Sequence, residues 1–339
     1  MHRTCIAFAL VTVLGGTIGL GSGWQSGSAQ VASPAASPAT AGFSVELLWQ
    51  STGGPDPLAQ PPDVAIHPDG TVWVVDPGNN RIQILSSDGE FLETWGEAGS
   101  GDGQFHLVEG DDIGGGLAFD ADGNLYVADA YNFRVQKFDP DRSFVAAWGE
   151  FGTGDGQFAR PDGVVVDPAG TVSVNDIERH DVQQFDADGT FLRTIGGFGS
   201  DPGQLDGPAY PAVDGDGNLY VPEFRNNRVS KFAPDGTFLM SWGTAGSDPG
   251  QFQNVNGAAV DASGDVYLAD DGNARVQVLD AEGQFLFAWG EAAPGDPFGS
   301  VASVELDGQG NLYAVDIAKG RVLKFRLPEL ATAAATPVP

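Results

Sequence analysis

An acid and an arginine recur five residues apart along this chain: Asp76–Arg81, Asp129–Arg134, Glu223–Arg228, Asp270–Arg275 and Asp316–Arg321. At that spacing the two can pair across a tight turn. A repeating ion pair is first a structural device, although charges in unusual settings also mark functional sites. One unit breaks the rule. It reads Asp176-Ile-Glu-Arg-His-Asp181, so a second carboxylate stands where the arginine belongs, beside Arg179 and His180. Two readings compete there. Crowding of Asp176 against Asp181 can raise a carboxylate pKa or recruit a cation. Alternatively Arg179 substitutes from a neighbouring position. A second acidic stretch, HLVEGDDIGGG at 106–116, makes one unit six residues longer than those that follow. Insertions in repeat arrays map to loops on one face, often the binding face. Its Glu109, Asp111 and Asp112 can cap a channel or bind a cation; a tolerated insertion without consequence is the other reading. No nucleophile–base pair and no phosphate loop stands out.

The elements that position these residues are themselves repeated. WGEAGSGDGQF starts at Trp95, WGEFGTGDGQF at Trp148, IGGFGSDPGQL at Ile195 and WGTAGSDPGQF at Trp242. Worn copies start at Trp49 and Trp289, so the anchors step by 46, 53, 47, 47 and 47 residues. A period of this size marks a solenoid, propeller or array. Each unit holds four apolar runs separated by turns. Asp-x-x-Gly between the first two, as in LAFDADGNLYVAD, predicts a hairpin, because Asp bonds its own backbone and Gly accepts positive φ. The same logic explains DADGN (120–124) and DGDGN (214–218), which resemble pieces of calcium loops but lack the distal acidic ligand. Four short antiparallel strands per unit, six units and no helix signal predict an all-β, six-bladed propeller. The Trp-Gly connectors carry the chain from the outer strand of one blade to the inner strand of the next. The last unit ends after RVLKF (321–325) without a fourth strand, and FSVELLW (43–49) supplies it. The first strand is thus predicted to complete the last blade and close the ring, removing open sheet edges.

Composition bounds the function. The chain has 16 Lys and Arg against 46 Asp and Glu, a net charge of −30. Nucleic acid is excluded as a partner, since a phosphate backbone would be repelled. Residues 1–29 read as an export signal, with Arg3, an apolar run and a small-residue cleavage region, so the mature protein is expected outside the cytoplasm and not inserted in a membrane. The single cysteine, Cys5, lies in that signal, so a mature chain would have no thiol chemistry. Residues 30–42 and 328–339, rich in Ala, Ser, Pro and Thr, read as linker and tail around a propeller at 43–327.

The acid landmark followed by Asn-x-Arg-[Ile/Val]-Gln and Trp-Gly…Gly-Gln-Phe resembles the NHL-repeat family of six-bladed β-propellers. The clearest copies are Asp76-PGN-Asn80-Arg81-Ile82-Gln83 and Asp129-AYNF-Arg134-Val135-Gln136. The resemblance implies a fold whose members range from RNA-binding domains and sensor domains to scaffolds and a peptide-amidating lyase, so function must be argued from the site. The lyase uses zinc held by histidines around the channel. Here His67, His106 and His180 fall on two faces and cannot close one zinc shell. Lactonase-type six-bladed enzymes place calcium in the channel on Glu, Asp and Asn. Asp162 and Asn256 are the candidates near the mouth, with Glu223 replacing an Asp; calcium in the channel is thus one possible cofactor, and otherwise none is expected.

These readings lead to a non-catalytic, monomeric propeller presenting one loop face to a protein, peptide or glycan. Candidate contacts are Tyr131, Asp162, Asp176, Arg179, His180, Asp181, Tyr210, Glu223, Phe224 and Asn256. The alternative is a calcium- or zinc-dependent hydrolase or lyase with its site at the channel mouth.

Overall fold

The computed structural model describes residues 43–328; the expected signal, linker and most of the tail lie outside them. Six four-stranded antiparallel sheets form the blades. Blade 1 is Val64–Ile66, Val72–Asp76, Arg81–Leu85 and Phe91–Trp95, from inner to outer strand. Blade 2 begins at Leu117–Phe119, blade 3 at Pro161–Val166, blade 4 at Ala212–Val213, blade 5 at Val255–Val260 and blade 6 at Val301–Leu306. The fourth strand of blade 6 is Glu46–Ser51, paired with Arg321–Arg326 from Glu46↔Arg326 to Ser51↔Val322. The predicted closure is therefore present, with the strand shifted a few residues towards the C-terminus. Phe43, ahead of it, stacks on Phe287 at 4.8 Å instead. Sequence gave no helix signal, and the only helical turns among the described residues are four single turns of 3₁₀ helix, as at Pro77–Asn79. No helix there is long and apolar enough to cross a membrane.

Blades pack through the repeated apolar positions. Trp95 lies edge-on to Phe138 of the next blade at 4.7 Å, Trp148 tilts onto Phe185 at 5.8 Å, and Trp289 meets Phe325 at 5.8 Å. The connectors end on wholly buried Phe105, Phe158, Leu205 and Phe252. Their glycines are needed where the chain folds back on its own glutamine. At Gly246 (φ +154°) a Cβ would fall within van der Waals overlap of the Gln251 amide. That amide oxygen accepts the Asp248 N–H at 3.2 Å. The hairpin aspartates behave as their turn chemistry predicts: Asp120 accepts the N–H groups of Asp122 and Asn124.

The acid of each five-residue pair is a hub. Asp270 is fully buried. It accepts the Gln253 N–H at 2.8 Å, the Asn273 amide at 2.9 Å, Arg275 Nε at 2.7 Å and Gln277 Nε2 at 2.9 Å. Arg275 continues to the carbonyls of Asp248 and Gln251. One carboxylate thus ties the incoming connector to the second and third strands. Asp76, Asp129, Glu223 and Asp316 do the same for their arginines Arg81, Arg134, Arg228 and Arg321.

Replacing Asp270 with Ala leaves Arg275 buried without its partner. We expect a loss of about 3–5 kcal/mol of stability, read as a lower urea midpoint. An unchanged midpoint would remove the hub from the account of the fold.

Candidate functional site

Each turn between second and third strands ends on one residue with positive φ: Asn80, Phe133, His180, Asn227, Ala274 and Gly320. In three blades its side chain accepts a backbone N–H from the next connector. Asn80 Oδ1 takes Leu107 at 2.8 Å, His180 Nδ1 takes Gly207 at 3.2 Å, and Asn227 Oδ1 takes Asn254 at 2.7 Å. Phe133 cannot accept such a bond, and a bulky residue with φ of +57° is an outlier. Its ring packs 5.0 Å from Phe151. Phe151 and Phe198 occupy the connector position filled by Ala98 and Ala245 elsewhere, and both are 70% exposed. Phe198 sits 4.9 Å from the His180 ring. Arg225, exposed on the same face, lies 3.8 Å from Glu178 and 3.5 Å from Asp206.

The irregular third unit is fully partnered. Asp176 is buried and accepts the N–H groups of Ala159, Arg160, Glu178 and Arg179. Burial raises its pKa and nearby Asp181 adds to the rise, while the backbone donors oppose it. Arg179 bonds Asp181 at 2.9 Å and reaches the carbonyls of Gly154 and Gln157. Those carbonyls match the ones that Arg134 holds in blade 2. Arg179 has therefore taken over the missing arginine's work from two residues upstream.

The channel lies among the inner strands. At the loop-face end it is plugged. The inserted stretch forms a small hairpin, Val108–Glu109 with Asp112–Ile113. From it Asp112 bonds Arg160 at 2.6 Å, and Arg160 lies 3.5 Å from Asp162. Asp162 also accepts the Gly115 N–H. The insertion thus caps the channel. Nearby, Tyr210 and blade 5 join directly: the Tyr210 N–H bonds Asn256 O at 2.9 Å, and the Ala258 N–H bonds Tyr210 O. Gly257 lets blade 5 come equally close to blade 6, since a Cβ there would lie 2.7 Å from Ser303 Cα.

Behind the plug is a cavity of about 590 Å³, mostly walled by Val, Ala, Ile and Leu. It opens among the first-hairpin turns at Asp261–Ser263, Gly308 and Gly310, with Leu327 and Pro328 at the rim. The mouth expected on the loop face is therefore on the other face. Chain direction explains this: the hairpins and the connectors cap opposite ends of the same strands. Asp63 and Glu305 face the cavity. Burial raises Asp63 to about 7, against the opposing Leu117 and Val64 N–H groups and the Ser303 hydroxyl, with a further rise from Asp162. Burial raises Glu305 to about 8, and Asp63 adds to it. Ser303 lies close enough to Asp63 to influence it but makes no well-formed hydrogen bond.

Of the sequence candidates, Tyr131, Asp162 and Tyr210 gather around Arg160, where their charges couple. The Tyr131 hydroxyl and Arg160 Nε are buried there without partners. Asp176 and Glu223 are wholly buried in hubs. Phe224 is half-buried, and Asn256 gives its carbonyl to Tyr210. Asp63, Arg160, Ser303, Glu305, Phe151 and Phe198 were not among the candidates. Three had a readable signal: Phe151 and Phe198 replace an aligned alanine, and Glu305 interrupts the apolar run at 304–306. Among the described residues no group of three or more His, Asp or Glu side chains is arranged to hold a metal. The cation beside Asp162 is Arg160 itself, whereas calcium asks for six to eight oxygens.

Comparison with known proteins agrees with this architecture. A family model described as SMP-30/gluconolactonase/LRE-like region matches residues 19–197, more than half of the chain. A model described as NHL repeat matches residues 252–279. Human NHL repeat-containing protein 3 is 31% identical over 110 residues, which are 30% of this chain and 30% of that protein. The chain therefore aligns with less than a third of that relative's length. A gluconolactonase from Xanthomonas campestris superposes with a TM-score of 0.61 at 16% identity, over 86% of this chain and 91% of that one. A streptogramin B lyase gives 0.57 at 13% identity, over 84% and 98%. At such identities the likeness is one of fold.

Asp63 and Glu305 make stability depend on pH in a defined direction. The unfolded chain releases both protons near pH 4, while the fold retains them to about 7 and 8. Between those limits the native state holds more protons, so stability falls as pH rises. Groups facing the pair are Asp162, Tyr210 and, towards the mouth, Asp261. We expect Glu305→Gln to flatten the decline in Tm between pH 5 and 8.5. At pH 8.5 the variant should gain roughly 1 kcal/mol, about 2–4 °C. A parallel Tm–pH curve would show that Glu305 is not desolvated.

Proposed function

The chain belongs to the SMP-30/gluconolactonase/LRE-like family and carries NHL repeats, and on that premise we propose that it is a binding protein whose loop face takes a protein or peptide. The observation that carries this reading is the aromatic patch on two adjacent connectors. Phe151 and Phe198 each replace an alanine and stand 70% exposed. Phe133 and His180 support them from below. Rigid aromatic side chains with little entropy to lose are the residues that dominate protein interfaces. The net charge of −30, with Glu178 and Asp206 beside the patch, favours a ligand carrying basic residues next to apolar ones.

The metal-dependent alternative is disfavoured by the channel end. There Arg160 neutralises Asp162, and the cap hairpin covers both. We therefore propose that neither binding nor stability requires calcium.

Peptides selected by display on the full chain test the proposal. The double variant Phe151→Ala/Phe198→Ala should bind them about 30-fold more weakly, the loss of roughly 2 kcal/mol typical of an interface anchor. Calcium and chelator should leave the Tm unchanged. Undiminished binding by the double variant would overturn the assigned face. Calcium-dependent lactone hydrolysis would replace the reading with the enzymatic one.

A further inference from the structure

The loop-face patch leaves the channel itself unexplained. It is a blind cavity of about 590 Å³, a size suited to a small molecule. Three carboxyl groups line it, Asp63, Asp261 and Glu305, and no Lys, Arg or His does. Arg160 lies behind the plug, bonded to Asp112 and facing Asp162. Its charge is thus already matched on the far side.

We propose that this cavity binds a small organic amine with an apolar body, its ammonium group seated between Asp63 and Glu305.

The walls and the acids call for different parts of one ligand. Towards the mouth the lining is Ile66, Val166, Val213, Val260 and Leu306. Those side chains offer only apolar surface to whatever fills them. At the acids the polar capacity is unused. Asp63 is 8% exposed and takes one side-chain bond of good geometry, from the Leu117 N–H to one oxygen. The Glu305 carboxyl has no side-chain partner, and only the neighbouring Leu306 N–H opposes its rise. The Ser303 hydroxyl is 1% exposed and has no partner. Buried polar groups are nearly always satisfied, so the unused carboxyl oxygens of Asp63 and Glu305 on the cavity wall point to a missing donor. A ligand ammonium supplies three N–H donors and a positive charge. A ligand carboxylate would raise the acids further, and neither it nor a neutral ligand offers them a cation.

Proton linkage gives a second signature. Desolvation raises both acids towards neutral pH, and the charge of Asp63 raises Glu305 further. An ammonium ion displaces their protons. Affinity should therefore rise with pH from 6 to 8, with protons released to the buffer. The groups facing the pair are Asp162 and Tyr210 near the plug and Asp261 at the mouth.

Calorimetry on the full chain tests this with phenethylamine, phenethyl alcohol and 3-phenylpropionate. The amine should bind at least about tenfold more tightly than either analogue, and tighten several-fold between pH 6 and 8. Heats in buffers of different ionisation enthalpy should show proton release. Glu305→Gln and Asp63→Asn should each weaken the amine about tenfold, while Phe151→Ala/Phe198→Ala leaves it unchanged. Should either channel variant fail to fold, the wild-type pH profile and proton count decide alone. Equal binding of the three probes, amine affinity independent of pH, or no amine binding would overturn the proposal without touching the loop-face reading.

Discussion

The buried carboxylate at the end of each second strand is the constraint on which the rest of the molecule depends. A propeller blade is a twisted four-stranded sheet whose ends would otherwise be loosely held loops. Here one acid per blade accepts donors from the incoming connector, the turn and the third strand. A buried charge is tolerable only when its acceptor capacity is filled. Each hub therefore requires its connector to take one path, and the six paths together form the loop face. Where the acid is Glu223, Ser230 stands in for the usual glutamine and the longer side chain still finds its arginine. Where the arginine is displaced, Arg179 restores the same carbonyl contacts. The chemistry of the hub survives changes in the residues that perform it.

Holding the connectors has a consequence for the channel. The inner strands enter it directly from the hubs, and at that end they approach closely enough for blades 4 and 5 to exchange backbone hydrogen bonds. Glycines permit the approach, and the insertion before blade 2 supplies a hairpin that covers the remaining gap. The channel widens only towards the first hairpins. A tube that a generic propeller leaves open at both ends becomes a cavity with one mouth. Asp63 at its blind end is then screened from water by the same strands, which is why it holds a proton that an ordinary carboxyl releases.

The periodic features were legible in the sequence because each is enforced in every blade. The Trp anchors, the Asp-x-x-Gly hairpins, the acid–arginine pairs and the borrowed closing strand all follow from local turn chemistry and strand counting. The channel was not legible for a physical reason. Facing in a strand follows simple alternation only while the register is regular. The inner strands of blades 3, 5 and 6 shift register between Pro161 and Val164, Val255 and Gly257, and Val301 and Val304. Past each shift, alternation no longer says which side chains meet the axis, so Glu305 could not be placed from its neighbours. Arg160 was equally opaque, since its partner Asp112 lies 48 residues away on an insertion.

Repeats make deviations informative. In a chain where six equivalent positions solve the same packing problem, a residue that solves it differently either drifts harmlessly or answers another demand. Asp181 belongs to the first kind, because Arg179 compensates it locally and nothing is left unpartnered. Phe133 belongs to the second. It gives up the connector bond that Asn80, His180 and Asn227 make, accepts an unfavourable backbone angle, and packs partly against the core and partly against Phe151, which is itself mostly in water. That packing does not replace the polar contact with the connector. Glu305 is of the same kind, an acid at an inner-strand position with no side-chain partner in the fold. Stability alone would have selected asparagine at the one and an aliphatic residue at the other. What distinguishes functional departure from drift is therefore whether the surrounding structure compensates it, and at these two positions it does so only in part.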